Sequence, residues 1–188
     1  AQIINMYNGE VVAEFYSNKT PIDEFASILN KEGIYYNTAN LIVERNTVGN
    51  HVLDLLYNKL EYENLWHDER GLTGFQVTMK NRETILSELE ESIRTNVLKI
   101  NSERTLNELN TFVITNSGKI TADNGKHDDL IMSLSLANHI MKSTRDNSFI
   151  EFTKENAFKE TKLYPKSTKI PLISKGKQVI EDIEWLMK

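Results

Sequence analysis

The chain has 188 residues and a mass of 21.7 kDa, with 39% hydrophobic and 26% charged residues, which suits one core-bearing domain of ordinary globular composition. It contains no cysteine, so disulfides and thiolate metal sites are excluded, and any metal falls to carboxylates, which favour hard cations such as Mg²⁺ or Mn²⁺. The net charge of −5 argues against a general nucleic-acid binder, while leaving room for a local basic groove around an acidic centre.

Residues 2–7 and 10–16 read as two strands joined by Asn8-Gly9, a pair that tolerates the positive φ angles of a tight type I′ turn. Thr20-Pro21 starts a helix, with Thr20 as cap, Asp23 at the capping-box position, Phe25, Ile28 and Leu29 as its buried stripe, and Gly33 as its end. Residues 39–44 form a short, nearly continuous apolar run, as expected of a central strand covered on both faces, and it ends abruptly in Glu44, Arg45 and Asn46. A helix follows, with Val48, Val52, Leu56 and Leu60 at four-residue steps, and Asn64–His67 suggests another short strand. Gly71 and Gly74 hold open a loop over 70–81. From about Arg82 to Arg94 a helix presents Ile85, Leu86, Leu89 and Ile93 on one face.

Val97–Ile100 reads as a brief strand, Ser102 as the cap of a short helix through Leu109, and 111–115 with 119–121 as a hairpin. Next comes Lys126-His127-Asp128-Asp129, directly before Leu130, Leu134, Ala137 and Met141 at helical spacing. Between Glu151 and Gln178 seven lysines face three glutamates, and Val179–Leu186 is amphipathic, so 146–188 is expected to be a hairpin-like extension with a closing helix, packing on a core of 1–145 in one domain. The alternation of strands and helices predicts an α/β fold, a mixed sheet with helices on its faces. No apolar run is long enough to span a membrane and no signal peptide is visible, which makes a cytosolic setting the default. The chain opens at Ala1 in a strand pattern without an initiator Met, so a piece of a longer protein is expected.

The acids are the informative positions. Asp128 and Asp129 fall at a helix start, where unpaired N–H groups and the positive end of the dipole favour negative charge; the plain alternative is an ordinary Asp cap. Glu44 closes a buried strand, where open α/β sheets place ligands, although a strand end is also simply where charge first reaches solvent. Together they make a carboxylate cluster from separated segments, of the kind that holds one or two Mg²⁺ ions; two ions roughly 4 Å apart activate a water and stabilise the leaving oxygen of a phosphodiester. No phosphate-cradling Gly-rich loop and no Ser-His-Asp context accompany them.

Four pieces of sequence in register carry a resemblance: Leu41-Ile42-Val43-Glu44-Arg45-Asn46; Gly74-Phe75 with Thr78, Asn81 and Arg82; Glu108-Leu109-Asn110-Thr111-Phe112-Val113; and Gly125-Lys126-His127-Asp128-Asp129-Leu130-Ile131-Met132. Over residues 1–142 the chain resembles the C-terminal nuclease domain of the large terminase subunit of tailed bacteriophages, of the T-even type. The resemblance implies an RNase H-like fold and a Mg²⁺-dependent (Mn²⁺ possible) endonuclease that cuts concatemeric double-stranded phage DNA during packaging, with two ions in the intact protein. It also implies a terminase ATPase domain, a small terminase subunit and a capsid portal as partners, and the host bacterial cytoplasm as the setting.

The family's site uses three acids. Glu44 matches one and Asp129 a second, as principal ligand, with Asp128 sharing the metal or taking that role. The third sits on a strand before the hairpin, and that strand is not in this sequence; Glu14 and Asp123 do not match it. The site is therefore expected to be incomplete, with weak metal binding and little or no cleavage. His127 is a candidate for orienting a carboxylate or water, and Asn46 for supporting Glu44, with turn chemistry as the plainer role for Asn46. Lys80, Arg82, Lys119, Lys126 and Arg45 are the candidate phosphate contacts. Trp66 and Trp185 are expected as core or interface anchors. Two alternatives stand beside the packaging nuclease: a junction resolvase of the same fold, and a non-catalytic module that docks on DNA or the portal.

Overall fold

The computed structural model describes residues 1–114, 120–123 and 125–145. The expected 146–188 extension, its closing helix, Trp185 and Lys119 lie outside the described residues.

Strands β1 (Gln2–Asn5) and β2 (Glu10–Glu14) pair antiparallel, and Ile3 faces Ala13 while Ile4 faces Val11, so Val12 is an extra residue that bends the strand as a β-bulge. The expected hairpin is present, but its turn is not the two-residue one. Asn5 pairs with Glu10, leaving residues 6–9 in the turn, and only Gly9 takes a positive φ, of 72°. Asn8 instead accepts the Glu10 N–H through Oδ1 at 2.9 Å. The cause is tertiary: the 97–99 segment lies against the turn, with Lys99 N donating to Gly9 O at 2.8 Å, and a Cβ on Gly9 would sit 1.7 Å from the Val97 carbonyl oxygen. The brief strand expected at 97–100 is accordingly a single parallel bridge, Lys99 to Glu10.

Helix α1 (Ile22–Tyr35) begins after Pro21, which has no side chain able to cap; Thr20 turns its hydroxyl to Ser17 Oγ at 2.8 Å instead. Gly33 does not end this helix. It lies within it, where a Cβ would meet Tyr62 Oη at 2.3 Å, so its role is close packing. Helix α2 (Thr47–Asp54) is capped by Asn46, whose Oδ1 accepts the Gly49 N–H at 2.8 Å, and it continues as a π-helical turn over Leu55–Lys59. Val52, Leu53 and Leu56 are buried, while Val48, expected on the same stripe, is exposed.

The 39–44 segment is extended but forms bridges rather than a full strand: Leu41 pairs with Leu65 and Glu44 with Phe75, both parallel, and His67 pairs antiparallel with Thr73. Helix α3 (Met79–Arg94) starts three residues earlier than the apolar period suggested, because Thr78 and Asn81 form a reciprocal capping box. Ser102 caps α4 (Glu103–Leu109) as expected, its Oγ accepting the Thr105 N–H at 3.1 Å. Strands β3 (Phe112–Ile114) and β4 (Ile120–Ala122) pair antiparallel, and α5 (Asp129–Thr144) follows.

Helix α5 is the centre of the molecule. Leu130, Ile131, Met132, Leu134, Leu136, Ile140 and Met141 are all buried, so it is covered on most sides rather than on one stripe. It packs against α3, β1 and α4, and its Ile131, Met132, Leu134, Leu136 and Met141 share one cluster with Val11, Phe75, Ile85, Leu86, Leu89 and Leu98. A second cluster joins Ala26 and Leu29 of α1 to Val52, Leu56, Tyr62 and Leu65. Trp66 packs against the first cluster and tilts over Phe75 at 5.6 Å, as an anchor. Three ion pairs link α3 to the α5 segment: Arg82–Asp128 at 2.6 Å, Glu88–His139 at 2.7 Å and Glu91–Lys142 at 2.5 Å. Their order is the same along both segments, so the two helices run in the same sense. Among the described residues no helix is long and apolar enough to cross a membrane.

Candidate active site

The neighbouring acids at the start of α5 are treated differently by their surroundings. Asp128 precedes the helix and its Oδ2 receives the Arg82 guanidinium at 2.6 Å; its side chain is 41% exposed. Asp129 opens the helix and its side chain is 73% exposed, with His127 Nδ1 at 3.7 Å from its Oδ2. Neither carboxylate caps the helix, and Asp128 makes no side-chain capping bond.

The cap comes from elsewhere. Glu108, near the end of α4, accepts the Ile131 N–H through Oε1 at 2.9 Å, and the Leu130 N–H also acts on its carboxylate. Burial pushes the Glu108 carboxyl above the usual carboxylate range; the two N–H groups pull the other way, and the charges of Asp129 and Asp128 add to the rise. The sequence reading placed Glu108 inside a motif without giving it a role. No local signal marks it, because the groups it serves are 23 residues away.

A second unexpected neighbour is the amino terminus. The Ala1 amine donates to Phe15 O at 2.8 Å, and burial lowers its pKa to about 6, offset in part by the charges of Glu14 and Asp129. Glu14 is bound by Thr105 Oγ1 at 2.6 Å and by Arg104 at 3.5 Å, and Asp123 is exposed on the approach to the motif.

Glu44 is half-buried beside Phe75, and its carbonyl oxygen is tucked against the start of α2, where a Cβ on Gly49 would lie 1.8 Å away. The chain runs from Phe75 into α3, whose Arg82 holds Asp128, so Glu44 and Asp128 are anchored to the two ends of one short segment. Among the described residues, however, no group of three or more His, Cys, Asp or Glu side chains is placed to hold a metal ion. Glu44, Asp128 and Asp129 are thus not gathered into a preformed three-carboxylate cage, because Arg82 engages Asp128 and Asp129 faces solvent.

The candidate phosphate contacts divide in the same way. Lys80 and Lys126 are exposed. Arg45 is paired with Asp68 at 3.1 Å and Arg82 with Asp128, so both guanidinium groups already serve a carboxylate. Asp68 also accepts the Leu72 and Arg70 N–H groups, and these bonds, the Leu72 one foremost, hold its carboxyl below the usual range; Arg45 therefore braces the 68–72 loop. Asn46 uses its side-chain oxygen to cap α2.

No family model matches the sequence. In structure the chain is similar to the large terminase nuclease from the thermophilic phage G20c. The crystal structure with bound cobalt superposes with a TM-score of 0.61 at 20% identity, covering 73% of this chain and 72% of that one. The form with bound magnesium gives 0.61 at 21% identity, covering 73% and 71%, and a third crystal structure gives 0.55 at 20%, covering 77% and 74%. The fold is that of a large terminase nuclease. The α/β architecture read from the sequence is upheld at that level, and in this terminase-nuclease fold Asp128 and Asp129 stand at the head of the central helix.

Proposed function

We propose that the chain is the metal-dependent endonuclease domain of a phage DNA-packaging terminase, of the T-even type, which hydrolyses phosphodiesters of concatemeric double-stranded DNA. The observation that carries this reading is the shared fold with a nuclease whose crystal structures hold cobalt or magnesium. The donor chemistry agrees: the acids here are oxygen ligands, and Mg²⁺ keeps several waters and is commonly held by one or two carboxylates, so Asp129 and Glu44 suit a weak, water-rich site. Asp128 is the auxiliary acid. Divalent ions bound there, two in the intact protein, would supply Lewis-acid activation of a water and charge stabilisation at the leaving oxygen.

The chain's own residues have distinct tasks in this reading. Asp129 offers its open carboxylate to the ion, and His127 stands beside it to orient that group or a water. Arg82 neutralises Asp128 and so reduces repulsion between adjacent acids. Lys80 and Lys126 are the exposed cations that draw the DNA, which is cut with limited sequence preference because the backbone rather than base edges is read. The family's third acid is matched by neither Glu14 nor Asp123 of this chain. In this reading the chain works in the host bacterial cytoplasm with the terminase ATPase domain, the small subunit and the portal.

The test is nicking of supercoiled plasmid in Mg²⁺ or Mn²⁺ by this chain and by one extended upstream with an acid-bearing strand. The chain alone cleaves weakly or not at all, the extended chain cleaves, and Asp129→Asn removes that activity. A second reading is favoured by the lack of a three-carboxylate group among the described residues: a docking module for DNA or the portal. No gain of cleavage on extension decides for docking, and preference for branched over linear DNA decides for a resolvase of the same fold.

A further inference from the structure

We propose that Glu108 is a positioning residue for the metal site, holding the helix start so that Asp128 and Asp129 are spared from doing it. This rests on the reading of Asp129 as a ligand given above. A helix leaves its first N–H groups without partners, and an Asp at the N-cap normally accepts from the second or third helical residue. Here the N-cap is Asp128, and the second and third residues are Leu130 and Ile131. Glu108 accepts the second of these, the Ile131 N–H, at 2.9 Å, and the Leu130 N–H also acts on its carboxylate.

Glu108 has therefore taken the capping bond to Ile131 that Asp128 would otherwise make. The result is visible in both acids. Asp128 turns to Arg82 at 2.6 Å, and Asp129 keeps a 73% exposed carboxylate. Since α4 carries Glu108 and packs on α5, the head of α5 is fixed relative to a neighbouring helix rather than to its own flanking residue. Without Glu108 the Ile131 N–H loses its acceptor, Asp128 becomes the nearest replacement, and its rotation breaks the contact with Arg82 and re-aims the adjoining Asp129.

The full 188-residue chain supports two measurements. In urea unfolding, Asp128→Ala lowers the midpoint more in a Glu108→Ala background than in the wild type, because Asp128 then carries the cap; equal shifts in both backgrounds overturn the proposal. Mn²⁺ binding, followed by electron paramagnetic resonance of the free ion, weakens about tenfold in Glu108→Ala, as for other groups that orient ligands from behind. It recovers in Glu108→Gln, which keeps an acceptor oxygen. Should Glu108→Ala fail to fold, Glu108→Asp, one methylene short of the N–H groups, takes its place with the same criterion. Asp129→Asn is the separate control. If Asp129→Asn abolishes binding while the Glu108 variants leave it unchanged, positioning is overturned and the ligand reading stands. If Asp129→Asn itself leaves Mn²⁺ binding intact, the ligand reading is overturned, and the positioning role falls with it.

Discussion

Two adjacent aspartates with identical chemistry end in unlike states because of what reaches them: Arg82 closes on Asp128, and nothing but His127, at 3.7 Å, approaches Asp129 among the described ion pairs. The Arg82–Asp128 pair is partly solvated, so Arg82→Ala is expected to lower stability by only about 1 kcal/mol, read as a shift in the urea midpoint. The Ala1 amine gives a sharper residue-scale test. Its pKa falls from 8.0 in the unfolded chain to about 6 in the fold because burial penalises the charged form. Below pH 6 both states are protonated and the fold bears the full penalty; between pH 6 and 8 only the unfolded state holds the proton; above pH 8 the penalty is gone. Stability therefore rises across that window, by up to roughly 3 kcal/mol for a two-unit shift. Urea titrations at pH 6 and pH 8 on the chain with a free and with an acetylated amine check this: acetylation flattens the rise.

At the scale of elements, the end of the 39–44 segment and the start of α2 are one unit. Asn46 caps the helix, and Gly49 lets the Glu44 carbonyl approach it. Asn46→Ala is expected to cost about 1 kcal/mol by stranding the Gly49 N–H, while leaving Glu44 in place. Gly49→Ala puts a methyl 1.8 Å from the Glu44 oxygen, so the backbone must move; a loss of about 1–3 kcal/mol in urea unfolding is expected, together with weaker Mn²⁺ binding than in Asn46→Ala. Comparable metal binding in both variants would show that the placement of Glu44 has no bearing on the ion.

For the whole molecule, α5 is the member on which α3, α4 and β1 all pack, and it also presents the acids. Stability and site are therefore coupled through one helix. Leu134 is fully buried at its middle, and Leu134→Ala is expected to cost about 2–5 kcal/mol, measured by urea or thermal unfolding. The Glu88–His139 and Glu91–Lys142 pairs then matter less for their small individual energies than for setting α3 and α5 in one register, with Arg82 opposite Asp128.

The sequence by itself determined the helices and where several of them start: Leu130, Leu134 and Met141 mark α5 by spacing, and Ser102 marks the cap of α4, because these signals act within a turn or two of chain; the Thr78–Asn81 capping box lay inside the stretch that its glycines made read as a loop. It also singled out Asp128 and Asp129 as acids at a helix head. Tertiary structure alone decided that Gly33 packs inside a helix instead of ending it, that Asn8-Gly9 sits in a four-residue turn, and that 39–44 pairs only by single bridges. It alone supplied Glu108 as the cap of α5 and Arg82 as the partner of Asp128, at separations of 23 and 46 residues. Contacts of that range exist only after the chain has packed, since they depend on which faces the buried apolar residues bring together, and no local pattern of residue types encodes them.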